Sequence, residues 1–192
     1  MRFYLIRHAH TQPIERLPPH EWPLSEAGRR QANALAALPL WPQVRRIYSS
    51  PEAKTMDTIR PAAERHGIPI VTEPDLRELE RPAGLIPDYA GAVAACFAAP
   101  RKSHRGWETA AHAQARILAA IHRIGKAAEG DAVALASHGL LCALLLAGLA
   151  ERQVPTLAEW RAIPTPGWAL LELTDPETPR PFARVVTGFR PI

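Results

Sequence analysis

Cysteine is nearly absent from this chain. Cys96 and Cys142 are its only two, far apart and in no Cys-x-x-Cys spacing, which argues against a disulfide framework and suits a reducing compartment. Long apolar runs are missing too. The longest, Leu140 to Ala150, has 11 residues, against the roughly 20 that a membrane-spanning helix needs. The amino terminus enters a strand directly, without the basic-then-apolar profile of a secretion signal. A cytoplasmic protein with no membrane partner is expected. The arginines (Arg29, Arg30, Arg45, Arg46, Arg101 and Arg105 among them) form no long basic block. Basic and aromatic residues do not interleave, and no helix-turn-helix pattern occurs. Although the net charge is +4 and the sequence pI about 9.5, no nucleic-acid partner is expected, and the basic surface is read as attractive to small anions.

What the chain has is core material. Hydrophobic residues make up 47% and charged residues 22%, with both signs mixed along 192 residues. A globule of this size buries about 70% of its unfolded surface, so residues 1–192 are expected to form one domain. Phe3 to Ile6 reads as a buried strand that opens at once into a polar turn. Ser25 reads as the N-cap of a helix reaching about Leu38. Val44 to Tyr48 is the next strand. Ser49-Ser50-Pro51 is expected to open a second helix with Pro51 at its first position, and Pro61 to kink or end it near Arg60. Ile68 to Thr72 is a short strand, and the proline-broken stretch Glu73 to Pro100 a loop followed by an alanine-rich helix. Thr109 to Ala128 is a long helix with Ala113, Ile117, Ala120, Ile121 and Ile124 on one face. Ala132 to Ala136 is a buried strand and Gly139 to Ala150 the helix after it. Trp168–Leu173 and Ala183–Thr187 read as a hairpin around Asp175-Pro176. Strands alternating with helices predict an α/β sandwich with a mostly parallel sheet.

Two histidines, His8 and His138, each follow a predicted strand by one or two residues. Sites in open parallel sheets form outside the carboxyl ends of strands, so both rings can enter one crevice if the strands are neighbours. Arg7 supplies a planar donor fork suited to phosphate oxygens. Ser137-His138-Gly139 starts a helix whose free backbone N–H groups favour an anion. An imidazole with one unprotonated nitrogen, surrounded by cations, can attack phosphorus.

These residues resemble a known family. Arg7-His8-Ala9-His10-Thr11 is similar to the Arg-His-Gly signature of the histidine phosphatase superfamily, the phosphoglycerate mutase-like proteins. Leu24 to Ala32 resembles that family's first helix. Tyr48 to Lys54 resembles its second phosphate-binding element, Leu76-Arg77-Glu78 its proton-donor segment, and Ser137-His138-Gly139 its second histidine. The resemblance implies a three-layer sandwich with a mostly parallel central sheet and helices on both faces. It implies that His8 is the nucleophile, that Arg7 and His138 hold the phosphoryl group, and that Glu78 serves as proton donor, with Glu80 as its rival. Thr11, Lys54 and Gly139 are carried over as substrate-binding residues. So is Glu108, by likeness of Gly106-Trp107-Glu108-Thr109 to a Gly-Glu-Ser loop that Trp107 interrupts.

Two departures stand out. Ala9 replaces a glycine, so the turn is kept only if its φ is negative. Lys54 stands where the family places a second arginine, keeping the charge but losing the bidentate fork; a weaker or differently angled phosphate grip is expected. The resemblance implies a phosphatase acting on a small organic phosphate monoester without metal or other cofactor, with a homodimer as the oligomer allowed for. Trp22 and Trp107 hint at a partly apolar pocket rim. The alternatives are a phosphoglycerate-type mutase, a phosphate-binding homologue with weakened turnover, and a metal hydrolase using His8, His10, His138 and Asp131.

Overall fold

The computed structural model describes residues 1–173 and 183–192. Its centre is a six-stranded sheet in the order β3-β2-β4-β1-β5-β6, with β1 Arg2–Arg7, β2 Val44–Ser49, β3 Ile70–Thr72, β4 Ala132–Ser137, β5 Gly167–Leu173 and β6 Ala183–Pro191. The four strands from β3 to β1 run parallel, and β5 and β6 are antiparallel additions. The turn expected at Asp175-Pro176 lies outside the described residues; the two strands expected to flank it do pair.

Both faces of the sheet are covered because its strands are apolar on both faces. Along β1, Phe3 and Leu5 enter one core, and Tyr4 and Ile6 the other; β4 divides Val133 and Leu135 from Ala134 and Ala136 in the same way. The first core packs under α3 (Tyr89–Ala98), α4 (Ala110–Ala127) and α5 (Gly139–Leu149), and the second under α1 (Glu26–Ala36) and α2 (Ala53–His66). The three-layer α/β sandwich implied by the resemblance is the observed architecture.

Local chemistry sets the helix starts. Ser25 caps α1 by accepting the Gly28 N–H at 3.0 Å, and Thr109 caps α4 through the His112 N–H at 3.2 Å. Gly28 is required for packing as well, because a β-carbon there would fall 2.0 Å from the His10 carbonyl oxygen. Two expectations need correction. The second helix begins at Ala53 with Glu52 as its cap residue, so Pro51 lies in a bend before it. Nor does Pro61 end that helix, which continues to His66 and stops at Gly67 with φ +64°. An interior proline costs about 3 kcal/mol. Here Ile59, Ala62 and Ala63 around it are buried in the second core, and burying an isoleucine side chain alone contributes roughly 1.5–3 kcal/mol. One further short helix, α6 (Leu157–Arg161), has a capping box between Thr156 and Glu159. Among the described residues no helix is long and apolar enough to cross a membrane.

Candidate active site

Insertion of β4 between β1 and β2 places three carboxyl-terminal strand ends side by side. Arg7 is in register with Ser137, and Ser49 with Ala136. The His8 N–H donates to the Ser137 carbonyl, and the Ser50 N–H to that of Ala136, both at 3.0 Å. His8 and His138 therefore emerge as neighbours, their ring centroids 5.2 Å apart and tilted by 60°. A cavity of about 550 Å³ opens over them, lined at its inner end by Arg7, His8, Thr11, Lys54, Glu78 and His138.

The tautomers follow from the partners. Nδ1 of His8 lies 2.8 Å from the Ala9 carbonyl, which can only accept. Nδ1 therefore carries the proton and Nε2 keeps its lone pair. Burial, the neighbouring His138, and the charges of Lys54 and Arg7 hold His8 well below the ordinary histidine range, against the opposing pull of the Ala9 carbonyl. The ring is thus neutral and nucleophilic at neutral pH. Ala9 fits the turn without a positive φ, and its N–H donates to Thr58 Oγ1 at 2.9 Å.

Arg7 runs beneath the start of α5. A β-carbon on Gly139 would lie 2.8 Å from Cζ of Arg7 and 2.9 Å from its Nε, so only glycine leaves room for the guanidinium. Nη1 donates to the Ile163 carbonyl. Arg7 Nε and His138 Nδ1 are buried without a partner among the described residues. Unmatched buried polar atoms are costly. Burial, then the charges of Lys54, Arg116 and Arg7, hold His138 well below the ordinary histidine range. An oxyanion would satisfy Arg7 Nε directly, and a protonated phosphate oxygen would donate to His138 Nδ1.

Lys54 is buried, 5% exposed. Its Nζ lies 2.6 Å from Glu52 Oε2 and donates to the Pro19 carbonyl. Glu52, to which the sequence reading assigned no role, connects much of the site. Its Oε1 accepts the Glu78 N–H at 2.7 Å and lies 3.2 Å from His138 Nε2, which also meets Ser50 Oγ at 2.9 Å. The lysine thus brings its charge into the cavity with a counter-charge attached.

Glu78 sits over the amino terminus of α5. Oε1 accepts the N–H groups of Leu141 (3.0 Å) and Leu79 (2.9 Å), and Oε2 accepts that of Leu140 (3.2 Å). Burial raises its pKa, the Leu79 N–H opposes this, and the Glu52 charge adds to it; the net shift is upward. Glu80 also lines the cavity, but no comparable set of N–H groups holds its carboxylate among the described residues.

Glu108 is not among the described residues that line the cavity, which corrects the expected direct substrate contact. It lies behind the Glu78 segment, held by Arg116 through Nε and Nη2, both at 2.8 Å, and accepts the Glu80 N–H at 3.0 Å. Burial would raise its pKa, but the Arg116 bonds and the Glu80 N–H outweigh this and the shift is downward. Arg116 also donates to the carbonyls of Asp75, Arg77 and Glu78, so one buried guanidinium fixes the backbone that carries Glu78. Sequence reasoning missed Arg116. The available signal was a charged residue between Ala113 and Ala120 on the apolar stripe of α4. His10, one of the histidines weighed as a metal ligand, has its Nδ1 2.9 Å from Ser25 Oγ. Among the described residues no group of three or more His, Cys, Asp or Glu is gathered to hold a metal ion.

Comparison with known proteins gives a coherent result. The family model of the histidine phosphatase superfamily (branch 1) matches residues 3–179. Mycobacterial glucosyl-3-phosphoglycerate phosphatase, solved with VO3, is 26% identical, with 97% of this chain and 98% of that one covered and a TM-score of 0.77. YhfR of Bacillus stearothermophilus is 21% identical over 97% and 95% of the two chains, with a TM-score of 0.77. A putative α-ribazole-5'-phosphate phosphatase of Escherichia coli K-12 is 19% identical over 97% and 96%, with a TM-score of 0.73; these last two show likeness of fold. No curated protein matches the sequence at a significant level.

Proposed function

The chain belongs to the histidine phosphatase superfamily, and on that footing we propose that it hydrolyses the phosphate monoester of a small organic alcohol through a phosphohistidine at His8. The observation that carries this reading is the neutral His8 ring, Nε2 free, beside His138 and above the Arg7 guanidinium seated against Gly139. Nε2 attacks phosphorus, the N–P bond forms and the P–O bond to the alcohol breaks. The Glu78 carboxyl, its pKa raised by burial, gives its proton to the departing oxygen. The resulting carboxylate takes a proton from water, whose oxygen attacks phosphorus; the N–P bond breaks and inorganic phosphate leaves. Arg7 and Lys54 offset the charge on the equatorial oxygens, with the neutral His138 ring beside them, so the reaction runs without metal or cofactor. The mycobacterial phosphatase has been solved with VO3 and with inorganic phosphate, oxyanions of the shape this cavity would hold.

The buried free thiols of Cys96 and Cys142 suit the cytoplasm, where we place the protein. The test is turnover of an aryl phosphate with an alkaline quench, which preserves phosphohistidine. Wild type should show a phosphoenzyme and activity that survives a strong chelator, and His8→Ala should show neither. Turnover by His8→Ala would overturn the reading. Conversion of 3-phosphoglycerate to its 2-isomer with a bisphosphoglycerate primer would mark a mutase instead.

A further inference from the structure

The cavity is far larger than a phosphoryl group needs, and its outer part has a different chemistry from its floor. The open cleft has a volume of about 550 Å³, in the range that accepts a whole organic ligand. Beyond the histidines the walls are Trp22, Leu85, Ile86, Tyr89 and Trp160, with Arg81 among them. The Arg81 guanidinium lies 5.8 Å from the Trp22 ring centre, 5.3 Å from that of Tyr89 and 6.0 Å from that of Trp107. Tyr89 packs on Trp107 and Trp160 at centroid distances of 5.7 and 5.9 Å. Leu85 is 52% exposed at this wall, a large apolar side chain only half covered by the protein.

Several polar groups at these walls are engaged by the protein. The Trp22 indole N–H donates to the carbonyls of Ile14 and Leu17, both at 3.1 Å, so Trp22 offers a ligand only its ring. Arg77, also at the wall, lies 3.6 Å from the Asp75 carboxylate, which partly cancels the charge a second anionic end would seek. A sugar packed against the apolar part of this wall would surrender hydroxyl hydration there, a loss on the order of 1–3 kcal/mol per unmatched group. A flat ring would instead stack on indole and phenol faces and against the guanidinium plane.

We infer that the alcohol part of the substrate is a flat, uncharged aromatic group that packs between Trp22, Leu85 and the Tyr89–Trp160 wall while its phosphate reaches His8. The inference rests on the phosphatase reading and narrows it to a substrate class. It is tested with two esters of similarly acidic alcohols, 2-naphthylmethyl phosphate and methyl phosphate, together with the matching unhydrolysable phosphonates as binding probes.

The expected result is a kcat/KM at least tenfold higher for the naphthylmethyl ester, and a Kd tighter by a similar factor for its phosphonate. Trp22→Ala should shrink that ratio several-fold. Turnover of both esters without preference would overturn the aromatic assignment and leave the phosphatase reading intact. If neither ester turns over, the phosphatase reading falls, and the two phosphonates still judge the pocket: equal affinities sink the assignment, tighter naphthylmethyl binding sustains it. A better rate with a sugar phosphate or a bisphosphate than with the naphthylmethyl ester would also overturn it, as would equal losses on both esters in Trp22→Ala.

Discussion

Adding one methyl group at Gly139 should cripple the site while leaving the protein folded. An ideal β-carbon there falls 2.8 Å from Arg7 Cζ, 2.9 Å from Nε and 3.0 Å from Nη2, well inside contact distance for carbon. The guanidinium would have to recede by roughly half an ångström or more. It has little freedom to do so cheaply, because Nη1 is tied to the Ile163 carbonyl and the side chain is half-buried. A misplacement of about 1 Å in a group that holds reacting atoms costs on the order of 10²-fold in rate, about 2.7 kcal/mol of transition-state stabilisation. Gly139→Ala is therefore expected to lower kcat/KM about 10²-fold. Gly148, on the same helix, is the internal control. Its β-carbon would meet Leu118 Cδ1 at 2.9 Å, a side-chain end that can swing away, and Gln114 Cγ and Cδ at 3.2 Å, which the bonds from Nε2 to the Leu144 and Arg152 carbonyls hold in place. Gly148→Ala should keep kcat/KM within about twofold, with that crowding offsetting the helix-propensity gain of up to roughly 1 kcal/mol. Both variants would be assayed on an aryl phosphate and melted in parallel. Wild-type kcat/KM in Gly139→Ala, or equal losses in the two variants, would refute the reasoning.

Other outcomes follow from the same geometry. With an alkyl phosphate, whose departing oxygen needs a proton, activity should fall on the acid side as His8 protonates and on the alkaline side as Glu78, shifted upward, loses its proton. Glu78→Gln should cut kcat by roughly 10²–10⁴-fold and abolish the alkaline limb; a persisting limb moves the proton role to Glu80 or elsewhere. Glu52→Gln removes the negative charge 2.6 Å from Lys54 Nζ while its amide oxygen can still accept the Glu78 N–H. Orthovanadate should then inhibit more tightly, on the order of tenfold, whereas weaker inhibition would mean that the charge of Glu52 is needed to hold Lys54 or His138. Arg116→Met takes the guanidinium from Glu108, which keeps the Glu80 N–H at 3.0 Å and His112 Nδ1 at 2.8 Å, and costs about 1.5–3 kcal/mol. It should lower Tm and, by loosening the Asp75–Glu78 backbone, lower kcat on alkyl phosphates more than on aryl ones; equal losses on both would leave Arg116 a purely stabilising role.

The candidate site residues were readable from the chain because each is coupled to a local signal. His8 and His138 close apolar strand patterns, Arg7 and Gly139 adjoin the histidines, and Ser25 caps the first helix. The unbroken apolar runs Phe3–Ile6 and Ala132–Ala136 likewise announced buried strands. Other features had no local signal. Pro61 stays helical because packing at Ile59 and Ala62 outweighs what its ring costs the helix. Glu108 leaves the cavity because Arg116, eight residues along α4, offers it a bidentate partner. Glu52 gains its place only when β2, β4 and the Glu78 segment meet, and Trp22 and Trp160 face one cavity only once α6 packs near α5. A strand or a cap depends on neighbours within a few residues, which the sequence by itself determined. A buried charge network and a pocket wall depend on partners drawn from separate loops, and only the tertiary structure decided which of them meet.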